Sequence, residues 1–135
     1  MNNTVWNVEQ VGVLLANARN AVIKNNLIIG TGKSAIYVTS KSVNKAGGHE
    51  IHHNDYVVKG EDEPEIKIAV WNGDSYYAKA PQLPLEESSR QSGDYGSISE
   101  DPLFVNPPQN FHLRTGPVRS PAKWAGEQGE DLGGN

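Results

Sequence analysis

Apolar residues fall in short runs along this chain, β-branched and set on alternate positions, with Gly, Asn and Lys between them. Period-two alternation of this kind predicts half-buried strands, and no stretch before Pro81 carries convincing helical periodicity. The runs also repeat. Asn2-Asn3-Thr4-Val5-Trp6, Asn25-Asn26-Leu27-Ile28-Ile29 and His53-Asn54-Asp55-Tyr56-Val57 align on Asn3, Asn26 and Asn54, the second interval slightly longer than the first. A second series aligns Val13, Ile36 and Ile68, where the first interval is the same and the second again longer. Short strands recurring about every 20 to 30 residues without helices predict a chain that coils about one axis, each coil stacking about 4.8 Å from the next as parallel strands. Asn3, Asn26 and Asn54 then form an internal ladder at one sharp corner, each amide bonded to the next.

Alternation divides the faces. Val13 and Leu15, Ile36 and Val38, and Ile68 and Val70 point inward, which places Leu14, Tyr37 and Ala69 in one outer row and Ala16, Thr39 and Trp71 in the next. Ile23 and Ile51 point inward on a second strand, with Lys24 and His52 stacked outside. Val5, Ile28 and Tyr56 continue the core. Residues 81–100 break the strand pattern, and Leu85 to Gln91, between Pro84 and Gly93, predicts a short helix.

Composition narrows the chemistry. The 135 residues hold no Cys, which removes disulfides, thiolate zinc sites and cysteine nucleophiles. No apolar run is long enough for a membrane span, and Met1 is followed by neither a basic region nor an apolar one, so no signal peptide is read here. Net charge is −4, with 6 basic and 3 acidic residues in 1–60 but 6 and 13 in 61–135. Without a basic patch, nucleic acid is not an expected partner.

The run Ala21-Val22-Ile23-Lys24-Asn25-Asn26-Leu27-Ile28-Ile29-Gly30, repeated as Glu50-Ile51-His52-His53-Asn54-Asp55-Tyr56, resembles the coil repeat of right-handed parallel β-helix proteins, the pectate-lyase-like superfamily. The tail, with Asp101-Pro102-Leu103-Phe104-Val105-Asn106-Pro107, Asn110-Phe111-His112-Leu113-Arg114 and Ser120-Pro121-Ala122, resembles the C-terminal end of uncharacterised secreted β-helix proteins. The resemblance implies an extracellular or periplasmic location and a substrate groove on the outer face of the first strand, walled by the preceding loops. Here that groove is edged by Tyr37, Thr39, Lys67, Trp71, Lys33 and Glu65, aromatic and hydrogen-bonding groups suited to a sugar chain. Full members have many more coils upstream. Because Asn2-Asn3 already holds the ladder position, the chain is expected to be the end of a longer solenoid, its open N-terminal end covered by upstream coils or by self-association.

Other constellations are set against plainer readings. Glu61-Asp62-Glu63-Pro64-Glu65 offers the oxygen ligands calcium takes, without the spacing of a calcium loop, and a solvated acidic turn accounts for it. Glu63 with Glu65, or Asp55 with Glu50, could supply the two carboxylates of a glycosidase, but neither pair lies in a hydrolase motif. Lys67 is the one cation on the groove floor that could act in β-elimination, and nothing near it in sequence depresses its pKa. His52 and His53 point to opposite faces of a strand, and His49 and His52 differ by an odd number of positions, so no metal site is expected. Gly30-Thr31-Gly32-Lys33-Ser34 lacks the first glycine of a phosphate loop.

The expectation is therefore an all-β, right-handed parallel β-helix, a solenoid of about three to four coils over residues 1–80, with an excursion and closing tail of the same domain over 81–135. Its expected role is a carbohydrate-associated module of a larger polysaccharide-binding or polysaccharide-degrading protein. The rivals are an active lyase or hydrolase, and a structural or interaction solenoid.

Overall fold

The computed structural model describes residues 1–16, 18–32, 34–39, 48–58, 70–73 and 85–133. Strands β1 (Thr4–Trp6), β2 (Val11–Leu15) and β3 (Val22–Lys24) form a first pass; β4 (Leu27–Thr31), β5 (Ser34–Thr39) and β6 (Glu50–His52) a second; and β7 (Asp55–Val58) and β8 (Val70–Gly73) a third. Each pass visits the sheets in the same order. The sheets run β1-β4-β7, β2-β5-β8 and β3-β6, every pairing parallel. Helix α1 (Leu85–Ser92) follows, starting at the residue the sequence predicts, and an antiparallel hairpin, β9 (Phe104–Asn106) and β10 (Asn110–Leu113), opens the tail.

Register is set by the buried faces. Val5 pairs Ile28 and Ile28 pairs Tyr56, while Ile23 pairs Ile51, so like positions stack in one interior column with Ile36 and Val38. Burying each side chain of this size contributes about 1.5–3 kcal/mol. One expected register is corrected. Ile36 pairs Val70, not Ile68, so Trp71 stands over Tyr37 rather than over Thr39, which pairs Gly73. A slip of two residues keeps every side chain on its own face, so alternation alone does not distinguish the two pairings.

The tail builds a second core. Leu27 and Ile29 face away from the interior column and are buried against Phe104, Leu113, Ala122 and Leu132. Sheet β1-β4-β7 is thus covered on both faces, which explains why Leu27-Ile28-Ile29 is continuously apolar instead of alternating. Phe111 sits edge-on to both Trp6 and Phe104, with ring centroids 5.6 and 5.0 Å apart. The far end of the tail returns to the first and second passes: the Gly133 N–H donates to the Asn25 carbonyl at 2.8 Å, and Gly133 lies so close to Leu27 and Thr4 that a Cβ there would sit 2.6–2.7 Å from their atoms.

Candidate functional site

Two regions carry chemistry: the outer row of sheet β2-β5-β8 and the corner before β4 and β7. On the first, Leu14, Tyr37 and Trp71 occupy one register column. Leu14 is exposed, whereas Tyr37 is only 5% exposed, so its ring is not an open platform. Lys33, Glu65 and Lys67 lie outside the described residues, as do the side chains of Thr39 and Trp71 and the acidic run 61–65.

The corner is a repeated left-handed turn. Asn2, Asn25 and His53 have φ of 56°, 59° and 51°, and each precedes a ladder asparagine. Asn is enriched there because its short polar side chain tolerates this conformation. Asn26 Oδ1 accepts the Asn3 N–H at 2.9 Å and the Asn3 side-chain amide at 3.2 Å; Asn54 Oδ1 accepts the same two groups of Asn26 at 3.0 and 2.9 Å. The turn recurs once more, with different residues. Gly96, at φ 68°, precedes Ser97, whose Oγ accepts the Asn54 N–H at 3.0 Å. A Cβ on Gly96 would lie 2.5 Å from the His53 ring, so this corner requires glycine on both counts.

Ser97 ends the ladder. Its hydroxyl donates to Asp94 Oδ1 at 2.6 Å, while Asp94 Oδ2 accepts the Tyr56 hydroxyl at 2.7 Å, and Tyr56 accepts an N–H from Asn54 Nδ2 at 2.9 Å. The four side chains close a circuit. Burial raises the Asp94 pKa against the pull of its two hydroxyl donors, and burial together with the Asp94 charge raises Tyr56 well above the usual tyrosine range. The carboxylate and the phenol are thus tied to one another inside the fold.

Outside the corner, Lys24 and His52 do stack in register, but His52 is fully buried, correcting the expectation of an open outer position. Tyr95 covers it, rings 4.7 Å apart and nearly parallel, and itself pairs with His52 as an isolated parallel bridge. His52 Nε2 lies 2.8 Å from Glu50 Oε1 and His52 Nδ1 2.8 Å from His53 Nδ1. In a neutral His52 ring the proton shared with the Glu50 carboxylate sits on Nε2, and Nδ1 is then the acceptor toward His53. Glu50, His52 and Glu127 bring one ligand atom each within 4.8 Å of one another. The Lys24 ammonium is already there, 2.7 Å from Glu127 and 3.9 Å from Glu50. A divalent ion would have to displace it. The hydrogen bond to Glu127 raises the Lys24 pKa, and the same bond lowers that of Glu127. The carboxylate pair Asp55 and Glu50 is divided: Asp55 Oδ1 accepts the Glu100 N–H at 3.0 Å while Glu50 turns to His52.

Ser97, Asp94, Tyr95 and Glu127 are missing from the sequence expectations. The intervening excursion sets Ser97 much further from Asn54 than the earlier anchors are from one another, and a serine in place of asparagine hides the rung. The Gly96-Ser97 pair, following the pattern of left-handed residue and then ladder residue, is the signal that could have found it.

No curated protein and no solved structure matches this chain. A family model described as a right handed beta helix region matches residues 1–77. With its parallel sheets visited in constant order and its in-register asparagine column, the chain belongs to the right-handed β-helix family.

Proposed function

We propose that this chain is a carbohydrate-associated β-helix module of the pectate-lyase-like kind, part of a larger extracellular or periplasmic protein that binds or degrades polysaccharide. In this reading the solenoid has three to four coils, residues 94–98 starting the last one, which the tail closes. The observation that carries the reading is the register of sheet β2-β5-β8, which sets Leu14, Tyr37 and Trp71 in one column, one residue per rung about 4.8 Å apart. A straight row of equivalent positions suits a linear repeating polymer better than a compact ligand. With Tyr37 enclosed, the sugar contacts expected from the sequence fall to Trp71, Thr39, Lys67 and Glu65, whose side chains lie outside the described residues.

Among the described residues, three acid groups favour contact over catalysis. Asp94, Asp55 and Glu50 are all engaged by protein donors, so none is free to act as one member of an open acid–base pair. The apolar cavity of about 400 Å³ at the β1-β2-β3 end, lined by Val5, Val13, Ile23 and Ile28 among others, is the face on which we place association with further coils or a second copy. Retention on immobilised polysaccharides, lost in Trp71→Ala, tests the sugar reading. Release of unsaturated uronate products would replace it with a lyase.

A further inference from the structure

His52 and His53 meet nitrogen to nitrogen at the corner between β6 and β7. Their Nδ1 atoms are 2.8 Å apart, and the rings stand edge-on with centroids 5.1 Å apart. Two ring nitrogens this close need a proton between them and have room for only one. His52 Nε2 faces the Glu50 carboxylate at 2.8 Å, so in the neutral pair His53 Nδ1 is the donor and His52 Nδ1 the acceptor.

Two further protons act on this contact in opposite ways. The first goes to His53 Nε2, outside the contact, and the Nδ1–H of His53 still donates, now from a charged ring, which strengthens the bond. The second finds only His52 Nδ1 open to it. Each ring then points an N–H at the other across 2.8 Å, and the contact is lost.

The rings have little room to part while residues 94–98 stay in place. His52 is fully buried under Tyr95, and His53 packs edge-on to Tyr95 at 5.4 Å and against Gly96, where a Cβ would sit 2.5 Å from its Nε2. The same stretch is bonded to the third pass. His53 and Tyr56 donate their N–H groups to the Tyr95 and Ile98 carbonyls, both at 3.0 Å, and the Ile98 N–H donates to the Asn54 carbonyl at 2.8 Å. Rings forced apart therefore push on the segment that lies over them.

The charges around the pair accept both protons. Lys24 of β3 is the register partner of His52, Glu50 of β6 is bonded to it, and Asp94 and Glu127 lie within electrostatic reach of both rings. Glu130 is bonded to Asn25 in the preceding corner, Asp55 of β7 turns to the Glu100 N–H, and the phenols nearby are Tyr95 and, bonded to Asp94, Tyr56. Carboxylates outnumber ammonium groups here, so charge on both rings is offset. Hydrogen-bond geometry is what limits the contact to one added proton.

We propose that His52 and His53 form an acid-sensitive latch on the end of the solenoid. The pair holds one added proton within its contact, and a second parts the rings and releases residues 94–98 from the third pass, which also unseals the ladder at Ser97.

Amide hydrogen exchange at about pH 8 and about pH 5, the span over which histidine changes charge, tests it once rates are corrected for the intrinsic effect of pH. Glu127 is held below 4.5, so its bond to Lys24 persists across this span and release of the tail does not enter. In the wild type, protection at the His53, Tyr56 and Ile98 amides falls at least tenfold at the acid end relative to Ile36. His53→Asn places in this corner the residue that Asn2 and Asn25 supply, left-handed, in the other two, and removes one ring. Its protection at Tyr56 and Ile98 is the same at both ends. Equal wild-type protection at the two ends overturns the latch. A fall that persists in His53→Asn belongs to the carboxylates and overturns it as well. Nitrogen-15 spectra of the wild-type rings keep the test independent of any variant: both rings doubly protonated at about pH 5, with protection intact, overturn it too.

Discussion

Ser97 stands over Asn54 where the repeat would set a fourth asparagine, accepting the Asn54 N–H at 3.0 Å and donating its own proton to Asp94 rather than onward. An asparagine at this position would present a further amide to solvent or to another rung. Serine commits its one donor to Asp94, and the ladder closes through Tyr56 back to Asn54. The corner column is therefore a chain of amides that runs from Asn3 to a sealed end at Ser97.

Substitutions along the column are expected to grow more costly toward the sealed end. Asn54→Ala strands both Asn26 donors and removes one donor each from the Ile23 carbonyl and the Tyr56 hydroxyl, which keeps its bond to Asp94; each buried group left unpaired costs about 1–3 kcal/mol, so the total reaches about 3 kcal/mol or more. Asn3→Ala, at the exposed end, costs about 1 kcal/mol. Urea unfolding of the two variants measures the difference, and equal costs would contradict the column as described.

Gly96→Ala imposes a left-handed alanine, at about 1–2 kcal/mol, and drives a Cβ into the His53 ring. The damage is expected to be local. Hydrogen exchange accelerates at the His53 and Tyr56 amides, which bond to the Tyr95 and Ile98 carbonyls, and remains slow at Ile36 in the neighbouring sheet.

Much of this was legible in the sequence and some was not, for physical reasons. Asn3, Asn26 and Asn54 could be aligned because a corner that needs a left-handed residue followed by an amide leaves a paired signature. The inward positions Ile23, Ile28 and Ile51 follow from alternation. The third strand of the β2 sheet slipped by two residues, because parity is blind to such a shift. The second core went unread because Leu27 and Ile29 meet partners far later in the chain, Phe104 to Leu132, in a tail without periodic pattern. His52 looked exposed because the residue that covers it, Tyr95, lies in the stretch 81–100 that breaks the strand pattern.

The tail is held to β3, at the end of the first pass, by the Lys24–Glu127 ion pair, whose pH window follows from its two shifts. Glu127 is held below its ordinary value of 4.5, so its contribution is present above that value and is lost as pH falls through the lowered one. Lys24 is raised above 10.5, so its contribution is complete below that value and is lost as pH rises through the raised one. Limited proteolysis of residues 120–133 is expected to stay slow between these limits and to quicken outside them. Glu127→Gln quickens it across the window and flattens the acid limb. A wild-type cleavage rate independent of pH would remove the pair from the account.

Tyr56 sets a separate alkaline limit. Its raised pKa means that the neutral phenol stabilises the fold in full below about 10, and that this stability is lost as pH climbs from there toward the residue's own value. Tyr56→Phe deprives Asp94 Oδ2 of the hydroxyl donor and is expected to cost about 1–3 kcal/mol at neutral pH while making the alkaline loss of stability shallower. Denaturant midpoints from pH 7 to 11 in both proteins read the two effects together.

The central claim, that this β-helix module contacts polysaccharide without cleaving it, is tested most directly by incubating the wild-type chain with a panel of neutral and uronate polysaccharides. Binding is read by affinity electrophoresis and product formation by ultraviolet absorbance and reducing ends. The account predicts retarded migration on at least one polymer with no new ends and no unsaturated products. Unretarded migration on every polymer, or cleavage of any of them, would contradict it.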